Sequence, residues 1–202
     1  GETHLAAALA AGRGVILAAP HYGNLELVIE FMAARGPFAL VYRVPESPVG
    51  DGFLRLARGG ENIRLVPAEA NAMRPLWKAL QAGEVVGITP DQQPKLGAGE
   101  FAPFFGKAAL TLSLVPRLAE RSGAAVLFAY AERRDDGRFD LHLAPADPAI
   151  GGTDIAAATA AMNAGVEAIA RRDFRQYQWT YKRFTLRPPG SGEIDPYGPE
   201  CR

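Results

Sequence analysis

Short apolar runs alternate with longer amphipathic segments along this 202-residue chain. That alternation restricts it to an α/β arrangement whose strands share one buried sheet. Val15–Ala19, Phe38–Tyr42, Ile63–Val66, Val85–Thr89 and Ala124–Glu132 have the length and composition of buried strands. The spacing predicts helices over Glu2–Ala11, Asn24–Ala34, Asp51–Ala57, Asn71–Gln81, Leu110–Arg121 and Thr153–Arg171. Thr153 is the expected cap of the last, and Pro116 an expected kink. Arg138–Leu143 is expected to pair antiparallel with Ala124–Glu132 across the turn Asp135-Asp136-Gly137. Pro90–Lys107 shows neither period and reads as a long functional or mobile loop. The expected fold is one α/β domain over 1–187, a mixed, mainly parallel sheet flanked by helices. The Pro/Gly-rich segment 188–202 reads as a weakly ordered tail.

Charge narrows the function classes. Lys and Arg number 22 against 22 Asp and Glu, so nothing draws the chain to nucleic acid as such. The lone Cys201 excludes an intramolecular disulfide framework and a cysteine zinc knuckle. There is no Walker A string and no His-Glu-x-x-His. Gly97-Ala98-Gly99-Glu100-Phe101-Ala102 fits a dinucleotide fingerprint on paper, but it does not join a strand to a helix. No metal or redox cofactor is therefore expected. No run approaches the roughly 18–20 apolar residues of a membrane span. The chain opens on Gly1 and reads as an N-terminally trimmed fragment, whose missing part is a place for an anchor.

Three histidines can be weighed singly. His4 reads as an exposed helix residue, and His142 as the solvent face of an alternating strand. His21 differs, because it follows the first buried strand through Pro20 and precedes Gly23-Asn24 at a helix start. Strand C-termini are where open α/β sheets bind ligands. Glu26, in the first turn of that helix, is the expected partner for one ring nitrogen, leaving the other as a general base. Imidazole titrates near 6.5, so a neutral base is available at neutral pH. The plain alternative is a helix-start histidine bonded to its neighbouring acid.

The string His21-Tyr22-Gly23-Asn24-Leu25-Glu26 resembles the H-x4-D/E block of the glycerolipid and lysophospholipid acyltransferases. More narrowly, it is similar to the lipid A biosynthesis (lauroyl/myristoyl) acyltransferases. Tyr42-Arg43-Val44-Pro45 with Asp51 and Arg58 resembles the family's second block, although Ser47 stands where Asn is frequent and Val44 separates Arg43 from Pro45. Thr89-Pro90-Asp91-Gln92-Gln93, running to Phe104-Phe105-Gly106-Lys107 and Thr111, is similar to its Pro-Asp loop and Phe-Phe-Gly stretch. Trp179-Thr180-Tyr181-Lys182-Arg183-Phe184 with Arg187-Pro188 resembles its C-terminal segment.

The resemblance implies transfer of a fatty acyl chain from an acyl carrier protein thioester to a hydroxyl of a lipid A precursor. It places the work on a membrane surface, at the cytoplasmic face of the inner membrane. His21 would be the base and Glu26 its orienter. No G-x-S-x-G elbow exists, so direct attack is expected rather than a covalent acyl-enzyme. The developing oxyanion needs donors, from backbone N–H groups near Gly23-Asn24 or from Arg58, with Arg43 as second choice. Asp91 reads either as a turn former or as orienting the acceptor or Arg58. Phe101, Phe104 and Phe105 would line an acyl slot or simply anchor their loop. Lys182 and Arg183 would meet phosphates or be solvated. The competing functions are a sibling acyltransferase acting on lysophospholipids or phosphoinositol mannosides, and a catalytically silent lipid-binding relative.

Overall fold

The computed structural model describes residues 1–68 and 71–198, so Cys201 lies outside the described residues. Six strands form one sheet in the order β3-β2-β4-β1-β7-β8. They are β1 (Val15–Ala18), β2 (Phe38–Tyr42), β3 (Ile63–Pro67), β4 (Val85–Ile88), β7 (Ala125–Arg133) and β8 (Phe139–Pro145). The first five in that order are parallel, and β8 runs antiparallel to β7. This is the mixed, mainly parallel α/β sheet that the alternation implies. The central strand β1 is buried throughout, because helices cover both faces. Ile16 and Ala18 join one core cluster while Val15 and Leu17 join the other, the two-residue period of a strand. Val28, Ile29 and Met32 of α2 (Leu25–Ala33) close one side. Leu76 and Leu80 of α4 (Met73–Gln81), Leu118 of α5 (Leu114–Ser122) and Met162 of α6 (Ile155–Ala170) close the other. The remaining helices are α1 (Glu2–Ala10) and α3 (Pro48–Arg58).

Three local expectations are corrected. Pro90–Lys107 is not all loop: β5 (Gly99–Phe104) and β6 (Lys107–Leu112) form an antiparallel hairpin. Its two-residue turn is Phe105-Gly106, with φ of +49° and +73°. Phenylalanine is an uncommon residue for that positive-φ position, and so the turn was hidden. The Asn163 side chain of α6 fastens the hairpin, donating to the Ala102 and Pro103 carbonyls at 3.4 and 3.0 Å. Second, α5 begins at Leu114 rather than Leu110, because Lys107–Leu112 is spent on β6; Pro116 then falls in the first turn, where it needs no kink. Third, Asp154 rather than Thr153 caps α6, accepting from the backbone of Ala156 and Ala157 at 3.0 and 3.1 Å. A carboxylate aimed at two free N–H groups there also meets the positive helix end.

Among the described residues, no helix is long and apolar enough to cross a membrane. The segment after Arg187 carries no helix or strand up to residue 198, yet it folds back: the Arg183 backbone N–H donates to the Tyr197 hydroxyl at 3.1 Å, and Arg187 pairs with Glu193.

Candidate functional site

Parallel strands β1 and β4 are neighbours, with Ala18 in register with Ile88. His21 and Asp91 each stand three residues beyond that pair, each directly after a proline. Equal offsets past a parallel register bring two side chains to the same level of the sheet edge, and here they meet. The His21 backbone N–H donates to Asp91 Oδ2 at 2.8 Å, and Nδ1 lies 2.8 Å from Oδ1. The Asp91 side chain is 3% exposed, whereas the imidazole side chain is 22% exposed. A carboxylate opposite Nδ1 selects the Nδ1–H tautomer and leaves Nε2 as the basic lone pair. The Gln92 side-chain amide lies 3.3 Å from Nε2, where its N–H donates to that lone pair.

Asp91, and not Glu26, therefore holds the imidazole. The expected His21–Glu26 contact is overturned because the Glu26 carboxylate is taken by Arg58, whose Nη2 and Nε lie 2.5–3.1 Å from its oxygens. This fork binds the first turn of α2 to the last residue of α3. Asp91 in turn is bonded to the histidine and not to Arg58. The helix start works as expected: Asn24 is the N-cap of α2, its Oδ1 accepting from Leu27 N–H at 3.3 Å. Gly23 has φ +61°, and a Cβ there would lie 1.9 Å from the Ala131 carbonyl oxygen, so only glycine lets this turn dock on β7.

The C-terminal segment locks the other side. Gln178 N–H donates to the His21 carbonyl at 3.0 Å, and Gly23 N–H to the Gln176 carbonyl at 2.9 Å. Tyr177 is buried beside Asp91, and burial followed by that carboxylate's charge pushes its phenol well above the ordinary tyrosine range. Tyr22 is shifted the same way, by burial and by its 2.6 Å bond to Glu132. Arg172 holds Glu132 below the usual carboxylate range by donating to it at 2.7 and 3.2 Å.

The raised phenols carry a stability consequence. A group whose folded pKa lies above its unfolded value stabilises the fold fully below the unfolded value, and that stabilisation is lost as pH rises past it. Stability should therefore fall from about pH 10, by about 1.4 kcal/mol per such phenol at pH 11. In urea denaturation, Tyr177→Phe should lose less stability between pH 9 and 11 than the parent, by about that amount. Equal losses would show that the Tyr177 phenol ionises as freely folded as unfolded.

The other candidates separate. Arg183 is buried, donating to the Leu110 carbonyl and to Thr111 Oγ1, the latter at 2.6 Å. Burial lowers its pKa. It ties β6 to the C-terminal segment, and is not the solvated cation expected as one alternative. Lys182 is exposed, with its ammonium 5.8 Å over the Tyr197 ring. Arg43 is exposed and has no ion pair among the described residues. Phe104 is buried against Phe105, Tyr177 and Phe184, so these rings anchor the hairpin. The cavity beside them and Asp91 holds about 40 Å³, room for about one water. Ser47 caps α3 through its hydroxyl, accepting from Gly50 N–H at 3.4 Å. His4 is exposed as expected. His142 is not: it is half-buried, stacked 4.8 Å from the Tyr130 ring.

Sequence reasoning missed Gln92 as a companion of His21 and Tyr177 as a neighbour of Asp91, and gave Asp91 a different job. The repeated strand–Pro–His and strand–Pro–Asp endings were the available signal, usable only once β1 and β4 are known to be neighbours.

Fold and site together define an open α/β domain with a histidine–carboxylate pair at the strand ends, an arrangement suited to activating a hydroxyl. The family model for bacterial lipid A biosynthesis acyltransferases matches residues 1–185, and the chain belongs to that family. It is 29% identical over 192 residues to the lipid A biosynthesis lauroyltransferase of Escherichia coli K12, covering 94% of this chain and 62% of that one. The palmitoleoyltransferase of the same organism is 30% identical over 184 residues, covering 90% and 59%. A lipid A biosynthesis acyltransferase of Haemophilus influenzae is 25% identical over 178 residues, covering 87% and 57%. The chain spans about three-fifths of the length of these relatives.

Proposed function

We propose that this chain transfers a fatty acyl group from an acyl carrier protein thioester to a hydroxyl of a lipid A precursor, at the cytoplasmic face of the inner membrane. The observation that carries the reading is the His21–Asp91 pair, in a chain of this family. The acceptor hydroxyl gives its proton to His21 Nε2 as its oxygen attacks the thioester carbonyl. The carbon–oxygen bond forms, the carbon–sulfur bond breaks, and the leaving thiolate takes the proton back from the imidazolium. Asp91 supplies the negative charge that stabilises that imidazolium. Arg58 is the cation assigned to the developing oxyanion, and Glu26 fixes it by the fork on its guanidinium. Glu26 is thus a positioning residue. Gln92, donating to Nε2 in the free enzyme, must yield that place to the acceptor hydroxyl.

Mass spectrometry of lipids after incubation with acyl carrier protein thioesters of several chain lengths tests this. The expected product is a lipid A precursor heavier by one acyl group. Acylated glycerolipid or phosphoinositol mannoside as the sole product would move the chain to a sibling activity, and no acylated lipid from any donor would leave a silent lipid-binding relative.

A further inference from the structure

Helix α3 is amphipathic in the wrong direction for a soluble domain, and none of its residues is buried. Asp51, Leu54 and Arg58 form its half-buried side, at spacings of three and four residues. That side is fastened to the body: Tyr42 donates to Asp51 at 3.1 Å, and Arg58 grips Glu26. About half a turn round the helix, Val49, Phe53 and Leu56 make a single stripe, and they are 82, 71 and 82% exposed. Gly50, Gly52 and Ala57 flank that stripe, so the outward half carries no charge or side-chain hydrogen-bonding group. Leu27, next to Glu26, and Val44, just before the helix, add further exposed apolar side chains.

We propose that this stripe inserts into the surface of an anionic lipid bilayer and seats the candidate site on it. The inference rests on the functional reading above, because an acyl-bearing acceptor lies in a bilayer. Three observations favour a bilayer as the occupant. The outward half of α3 is free of charge, while Asp51 and Arg58 face the body and Arg55 is drawn to Asp51 at 2.7 Å, the profile of a helix lying in an interface. Arg58 closes the same helix on Glu26 in the first turn of α2, so the stripe is fastened to the helix that follows His21. Arg43, exposed and without an ion pair among the described residues, offers a cation to anionic headgroups beside the stripe.

Phe53→Trp provides the probe. On titration with vesicles of phosphatidylcholine and phosphatidylglycerol, its emission, relative to the unsubstituted chain, should shift to the blue. Lipids brominated on their acyl chains should quench it. Val49→Ser with Leu56→Ser in that background should weaken partition about tenfold or more. Unshifted emission at saturating lipid would overturn the proposal. So would a blue shift without lipid that grows with protein concentration, since a second copy would then cover the stripe. Activity separates this proposal from the functional one. The triple variant V49S/F53S/L56S should acylate an acceptor dispersed in detergent normally, but lose about tenfold or more on the same acceptor in vesicles. Equal activity of parent and variant on vesicles would refute the docking role while leaving the acyltransferase reading intact. Vesicle insertion by a parent chain that transfers no acyl group from any donor would support the docking and sink the activity.

Discussion

His21→Ala should lower acyl transfer by roughly a hundred- to ten-thousandfold, the usual contribution of a positioned general base. The loss should fall on kcat, because a hydroxyl that binds normally still meets no acceptor for its proton. Stability should change little, for a reason visible in the bonding. Asp91 keeps the backbone N–H of residue 21, which any residue there supplies, and it keeps Tyr177 as a neighbour. The buried carboxylate is therefore not orphaned, and a loss of about 1–2 kcal/mol is the expected upper range for the missing imidazole bond. Near-normal turnover would remove His21 from the proposed role, and an unfolded variant would contradict the small stability cost expected of it.

Asp91→Asn should be almost as damaging, by roughly a hundredfold to ten-thousandfold, although it changes only one atom type. Both carboxylate oxygens are in use, one by the His21 backbone N–H and the other opposite Nδ1. An amide has one oxygen to offer. Turned toward the backbone, it presents its NH2 to Nδ1, and the ring must then carry its proton on Nε2, where the base is needed. Turned the other way, it sets donor against donor at the backbone. Nitrogen NMR of the imidazole reads this directly: the parent should carry its proton on Nδ1, and Asp91→Asn should lose that preference. Glu26→Gln should leave the tautomer unchanged, since the Glu26 carboxylate is engaged by Arg58. A tautomer indifferent to residue 91 would remove Asp91 as the orienter.

The sheet was largely legible in advance, because a buried strand must be apolar on both faces and the connecting helices must not be. Phe38–Tyr42 and the β1 core follow from that alone. The hairpin at 99–112 was not legible, since its turn uses phenylalanine at a position where asparagine or aspartate is the usual signal, and Pro103 interrupts the strand pattern. The site was legible residue by residue but not pair by pair. His21 stands out because of its place after β1, yet its partner is 70 residues away, and proximity in sequence favoured Glu26. Only strand order distinguishes the two carboxylates, and strand order is a tertiary fact. Arg183 shows the same limit: beside Lys182 it reads as a surface cation, while Thr111 and the Leu110 carbonyl draw it inside.

The central claim, that an imidazole and the carboxylate behind it act as one base, is tested most directly by a double-mutant cycle. Single-turnover acyl transfer would be measured for the parent, His21→Ala, Asp91→Asn and the double variant. If the two residues work as a unit, the double variant should be no slower than His21→Ala alone. Losses that multiply would contradict the account, as would a cycle in which Glu26→Gln takes the place of Asp91→Asn as the partner without further effect.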